Sequence, residues 1–166
     1  MFRELRRNYP YEIQIELSDY CNAKCPICTR VIEGRDGLKP SATVNRNQIS
    51  FEDFRKWFPP KFIEKRLFKM RFNGQVGESS LCEDLHDIVH YISKCNKNLE
   101  YLSLTTNGGT RDPDWWYKLG TLMKEMRWGE VVFALDGLAD THSMYRVNVD
   151  WYKVTENARA YIAGGG

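Results

Sequence analysis

The sequence has no apolar run near the roughly 18 residues a helix needs to cross a bilayer, and its mean hydropathy is −0.55. A membrane-spanning helix is therefore not expected. It has no marked excess of either charge: 24 Lys and Arg stand against 22 Asp and Glu, a balance of +2. Nothing in that balance draws it to nucleic acid. There is no N-x-[ST] sequon and no long apolar h-region near Met1, and the five cysteines are an odd number, three of them within eight residues. A disulfide framework is not expected; closely spaced cysteines in a cytoplasmic-looking chain point to a metal. Aromatic residues are not scarce. At 13%, with five Trp in 166 residues, they are too many for a disordered chain, and the length suits one soluble domain with a real core.

Periodicity organises that domain. Residues 1–10 read as a solvated basic arm carrying Arg3, Arg6 and Arg7, and residues 11–166 as the core. Residues 12–17 alternate apolar and polar, which predicts a strand. Residues 29–48 show no periodicity and predict a long loop. Ser50-Phe51-Glu52-Asp53 resembles a capping box, and Pro59-Pro60 breaks the short helix it opens before 61–66. Strands are predicted at 67–72, 99–105 and 131–135. Between them, Leu81, Leu85, Ile88, Val89 and Ile92 predict a helix over 81–94. Pro113 opens another, with Trp115, Leu119, Leu122, Met123 and Met126 on one face. Asp150 can cap a last helix on which Trp151, Val154, Ala158 and Ile162 share a face. The βα alternation, four times over, predicts an α/β fold with a parallel sheet, either part of a (βα) TIM-like barrel or a small open sheet. In both, chemistry belongs at the C-terminal ends of the strands.

The run Cys21-Asn22-Ala23-Lys24-Cys25-Pro26-Ile27-Cys28 follows directly on the first strand. Three thiolates on one tight loop can hold three irons of a cubane cluster and leave the fourth open. Structural zinc is the alternative, but it normally takes four ligands and the run supplies three.

The run resembles the C-x3-C-x-Φ-C signature of the radical S-adenosylmethionine (radical SAM) enzymes, with Ile27 at the position that is commonly aromatic. The likeness continues at each later strand end. Asn73-Gly74-Gln75-Val76-Gly77-Glu78-Ser79 resembles the family's Gly-Gly-Glu-type segment, which implies that Gly77 and Glu78 contact the methionyl amino group. Thr105-Thr106-Asn107-Gly108 is similar to the family's Thr-Asn-Gly turn, which places Thr106 and Asn107 against the cofactor. Ala134-Leu135-Asp136-Gly137 resembles Ser-Ile-Asp-Gly, with Ala134 lacking the hydroxyl, so Asp136 joins the implied cofactor set. Arg146 matches the Arg that in some members binds the cofactor carboxylate. The stretch from Thr141 to Arg146 is similar in style to peptide-modifying maturases. The order of the matches carries the resemblance, which extends over roughly 13–162.

The resemblance implies a [4Fe-4S] cluster on Cys21, Cys25 and Cys28, and S-adenosyl-L-methionine bound to it. It also implies an electron donor of flavodoxin or ferredoxin type and hydrogen abstraction from a substrate, a peptide or protein by motif style. The family core usually has six βα units, so a core truncated before the last units is expected. A non-catalytic iron–sulfur or zinc module is the other reading.

Other motifs are weaker. His86 and His90, four apart, are read as exposed polar residues on the flank of their helix, not as a zinc pair. Cys82 and Cys95 are read as core or boundary thiols. Trp115 is placed mid-stripe and Trp116 at the edge, both packing residues. The basic, aromatic stretch 55–71 is read as a solvated helix with an apolar underside.

Overall fold

Short apolar-alternating segments separated by amphipathic ones dictate the architecture seen in the computed structural model, which describes residues 12–34, 37–40, 46–95 and 99–166. The basic arm expected over 1–10 lies outside them. The chain begins with β1 (Glu12–Ile15), then a hairpin of β2 (Val31–Gly34) and β3 (Gly37–Pro40), then helices α1 (Phe51–Trp57) and α2 (Pro60–Arg66). Next come β4 (Lys69–Phe72), α3 (Leu85–Cys95), β5 (Tyr101–Thr106), α4 (Pro113–Met123), β6 (Gly129–Phe133), the single turn α5 (His142–Tyr145) and α6 (Trp151–Ala163).

The strands β1, β4, β5 and β6 form one parallel sheet in that spatial order. Each neighbour in the sheet is reached through a helix, the arrangement that βα alternation predicts. In the register, Ile15 pairs with Phe72, Phe72 with Leu104, and Thr106 with Phe133, so the four C-terminal ends share one rim. The sheet's two faces differ because side chains alternate. Ile13, Ile15, Met70, Phe72, Leu102, Leu104, Val131 and Phe133 all join the core cluster with the helices. The opposite face carries charge and hydroxyls: Arg71 pairs with Glu12, and the Tyr101 hydroxyl donates to Glu130.

Helix starts follow their caps. Ser50 Oγ accepts from Asp53 N at 3.1 Å, Asp112 from Trp115 N at 2.8 Å and Asp150 from Lys153 N at 2.8 Å. Each satisfies one of the free N–H groups at a helix start. Helices α4 and α6 lie close because a Cβ on Gly120 would stand 2.3 Å from the Tyr161 carbonyl oxygen; only glycine admits that approach.

The structure corrects several local expectations. Part of the predicted 29–48 loop is the β2–β3 hairpin, whose pairing turns back at Gly34 and Gly37. The helix predicted from residue 81 begins at Leu85, preceded by a 3-10 turn at Ser79–Leu81. On α4 the deepest side chain is Trp116, fully buried, while Trp115 is half-buried: the stripe is rotated, since the face toward α6 is buried as well as that toward the sheet. On α6 the buried set is Val154, Asn157 and Tyr161, and Ile162 is 65% exposed. His86 is half-buried, its ring stacked on Trp115 with centroids 4.4 Å apart, while His90 is exposed as expected. Trp115 on the neighbouring helix covers the flank that a single-helix projection leaves open. Among the described residues no helix is long and apolar enough to cross a membrane.

Candidate active site at the strand ends

The rim of strand ends is where four loops must meet, and it holds a cavity of about 270 Å³. That is just under the usual range of small-molecule sites, roughly 300–1,000 Å³. Its wall includes Cys21, Cys25 and Cys28 from the loop after β1, and Gly77 and Glu78 from the loop after β4. Thr106 and Asn107 from the end of β5 and Ala134 with Arg146 from the segment after β6 complete it.

The cysteine loop is held from several sides. Leu17, fully buried, roots its start in the core, and Cys28 N donates to Cys25 O at 3.1 Å across a tight turn. Lys24 N donates to Val147 O at 2.9 Å and Asn148 Nδ2 to Asn22 O at 2.8 Å, so the loop is tied to the segment after α5. Arg30, 4% exposed, donates from below to Ala23 O at 2.7 Å and Cys21 O at 3.5 Å. Burial pushes the Cys21 thiol up from its ordinary value, with Glu78 acting the same way and the Ala23 amide and Arg30 opposing. Cys25 is 6% exposed, and Cys21 and Cys28 are half-buried. Among the described residues no three His, Cys, Asp or Glu side chains converge on a single ion position.

The loop after β4 packs on that after β1. A Cβ on Gly77 would lie 1.6 Å from the Ser18 carbonyl oxygen, so the two backbones touch where only glycine fits. Glu16 accepts from Val76 N at 2.9 Å and Gly77 N at 3.3 Å, and Glu78 N donates to Tyr20 O at 2.8 Å. The Glu78 side chain, 4% exposed, then crosses to β5. Its carboxylate accepts from Ser80 N and Ser80 Oγ, from Thr106 Oγ1 at 2.7 Å and from Asn107 N at 2.8 Å. Asn107 in turn donates from Nδ2 to Asn22 Oδ1 at 2.9 Å and lies 3.5 Å from Cys21 Sγ. A chain of polar contacts thus runs from the second strand loop through the third to the thiols.

On the far side Arg146 pairs with Asp136, and its Nη1 lies 3.8 Å from Cys25 Sγ. His142, fully buried beneath, sits with Nδ1 3.5 Å from Asp136 N. Desolvation, and then the charge of Arg146, lower its pKa from the ordinary histidine value, with Asp136 and Asp150 opposing.

No family model matches the chain. Over 98 residues it is 31% identical to the GTP 3',8-cyclase of Vibrio parahaemolyticus and 30% identical to that of Vibrio vulnificus, in each case 59% of this chain. The match spans 27% of each cyclase's length. Among solved structures, native anSMEcpe with bound AdoMet superposes with a TM-score of 0.65 at 21% identity, covering 94% of this chain and 42% of that one. The structure of anSMEcpe with bound AdoMet and Cp18Cys peptide gives 0.64 at 19%, covering 94% and 41%. The chain is thus similar in sequence to part of these cyclases and shares the fold of the anSMEcpe structures. Its sheet is accordingly part of a TIM-like barrel.

Of the site residues expected from the radical SAM resemblance, the structure brings eight to one cavity: Cys21, Cys25, Cys28, Gly77, Glu78, Thr106, Asn107 and Arg146. Ile27 and Asp136 are not in its wall. Ile27 is 82% exposed, and Asp136 reaches the site through Arg146. Cys82 and Cys95 stay apart from it; Cys82 is fully buried, with its thiol pushed up to about 11 by burial. Sequence reading missed Arg30, Asn22 and Asn157. Asn157 donates to Gly108 O at 2.8 Å and so anchors the turn after β5 on α6. A polar residue within an apolar helical face was the available signal for Asn157; Arg30 gave none, because one Arg in a loop has no pattern.

Proposed function

We propose that this chain is the cofactor-binding segment of a radical SAM enzyme. In this reading Cys21, Cys25 and Cys28 hold a [4Fe-4S] cluster and the cavity beside them takes S-adenosyl-L-methionine. The observation that carries it is that three thiols of one loop and residues from three later strand ends wall a single cavity. Three thiol-only donors suit iron–sulfur chemistry, whereas a structural zinc normally takes four ligands. When bound, the pair would supply reductive, one-electron chemistry at the sulfonium and, through the 5′-deoxyadenosyl group, hydrogen abstraction from a substrate.

The chain's own residues bind and orient. Thr106 and Asn107, fixed by Glu78, form a rigid polar wall, and Arg146, held by Asp136, offers its guanidinium to a carboxylate beside Cys25. The tied loops hold the three thiols at the cavity wall, with Cys25 the most enclosed. For the substrate we favour a peptide or protein, supported by the Thr141–Arg146 motif style. The likeness to the Vibrio cyclases supports a nucleotide as the second reading. An electron donor of flavodoxin or ferredoxin type and a cytoplasmic setting complete the proposal, because thiolates and such a cluster need a reducing compartment.

The test is anaerobic reconstitution of the protein with iron and sulfide, then reduction with S-adenosyl-L-methionine and chromatography for 5′-deoxyadenosine. About four irons per chain and 5′-deoxyadenosine, both lost in Cys25→Ala, are expected. Zinc in place of iron refutes the proposal, and stimulation by peptide or by GTP separates the two substrate classes.

A further inference from the structure

Arg30 stands two residues beyond Cys28 and is 4% exposed, yet among the described residues it has no carboxylate in ion-pair range. Its guanidinium turns back under the cysteine loop, donating from Nη2 to Ala23 O at 2.7 Å and from Nη1 to Cys21 O at 3.5 Å. Its Nε is buried with no partner. Arg30 also lies in the wall of the cavity with the three thiols. A guanidinium without a counter-charge in so dry a place is unfavourable unless something nearby supplies negative charge.

We infer that Arg30 is a positioning residue, the brace that shapes the cysteine loop and the buried positive charge that compensates the anionic group the loop holds. The brace follows from the two carbonyl contacts, which fix the loop between its first and second cysteines. The charge role rests on the cluster reading above. A cluster held by three thiolates is anionic and becomes more so on reduction, so a fixed cation across the loop favours the reduced form and raises the potential.

The brace is tested without a cluster. Alkylation of the metal-free protein with iodoacetamide, followed cysteine by cysteine by mass spectrometry, reads how often the loop opens. In Arg30→Gln, Cys25 should react about tenfold faster, the consequence of losing a charge-assisted hydrogen bond, and Cys82 in the core should react as before. An unchanged Cys25 rate, or an equal acceleration at Cys82, overturns the brace. The charge is tested on the reconstituted protein by redox titration. The midpoint potential should fall in Arg30→Gln and stay near the wild-type value in Arg30→Lys, which keeps the charge and loses the planar grip. Equal potentials in all three proteins overturn the charge role. A wild-type protein that takes up no iron removes the cluster reading and the charge role together, while the alkylation result still decides the brace.

Discussion

Replacing Glu78 with Gln separates two roles for this residue. The resemblance to radical SAM enzymes implies a contact with the cofactor, whereas the structure places its carboxylate inside the protein, accepting four hydrogen bonds from Ser80, Thr106 and Asn107. Gln offers one acceptor oxygen in place of two. If that oxygen faces Ser80 and Thr106, its amide hydrogens confront the Asn107 N–H, and a buried donor loses its acceptor at about 1–3 kcal/mol. The remaining bonds lose their charge assistance, falling from roughly 1.5–3 to roughly 0.5–1.5 kcal/mol each, while relief from burying the charge offsets part of that loss. The net expectation is a destabilisation of about 3 kcal/mol, a fall in Tm of roughly 6–12 °C for a chain of this size. Urea denaturation of Glu78→Gln, Thr106→Val and the double variant measures it, with a coupling energy of at least about 1 kcal/mol between the two sites. A Glu78→Gln protein within about 0.5 kcal/mol of wild type, with weakened S-adenosyl-L-methionine binding by calorimetry, refutes the reasoning and restores the carboxylate to the cofactor.

Gly77→Ala should cost at least about 3 kcal/mol or abolish soluble expression, because its Cβ would stand 1.6 Å from a backbone oxygen that has no flexible end to swing away; an unchanged urea midpoint refutes the contact. His86 offers a pH test. Burial, with Lys118 next, lowers its pKa to about 4, below the 6.5 of an unfolded histidine. The unfolded state therefore binds the extra proton first, so stability is full above about pH 6.5 and falls as the pH drops toward about 4. Discounted for partial exposure, the loss is about 1–2 kcal/mol. His86→Phe, which keeps a ring against Trp115, should flatten that part of a stability–pH curve, and an unaltered slope refutes the assignment.

How the local sequence relates to the fold differs from element to element. The caps at Ser50 and Asp150 are legible because a short polar side chain needs only the next turn of its own helix. The orientation of α4 was not legible: Trp116 packs on Phe133 of β6 while Gly120 of the same helix lies against Tyr161 of α6, and one helix's periodicity weighs only one neighbour. The β2–β3 hairpin is not legible either, since its cross-strand pairing leaves no alternation in either four-residue strand.

The sequence by itself determined the strand-and-helix alternation and the thiol loop at the end of β1. It also determined the order in which the other strand-end segments follow, because these depend on residue type and spacing along one stretch of chain. Only the tertiary structure decided what those residues do to one another. It turned Glu78 inward to Thr106 and Asn107, tied Asp136 to Arg146, and set an unpaired Arg30 beneath the thiols. Those roles are set by partners up to 29 positions away, and a hydrogen bond or ion pair is specified by distance and angle in space, which no local pattern encodes.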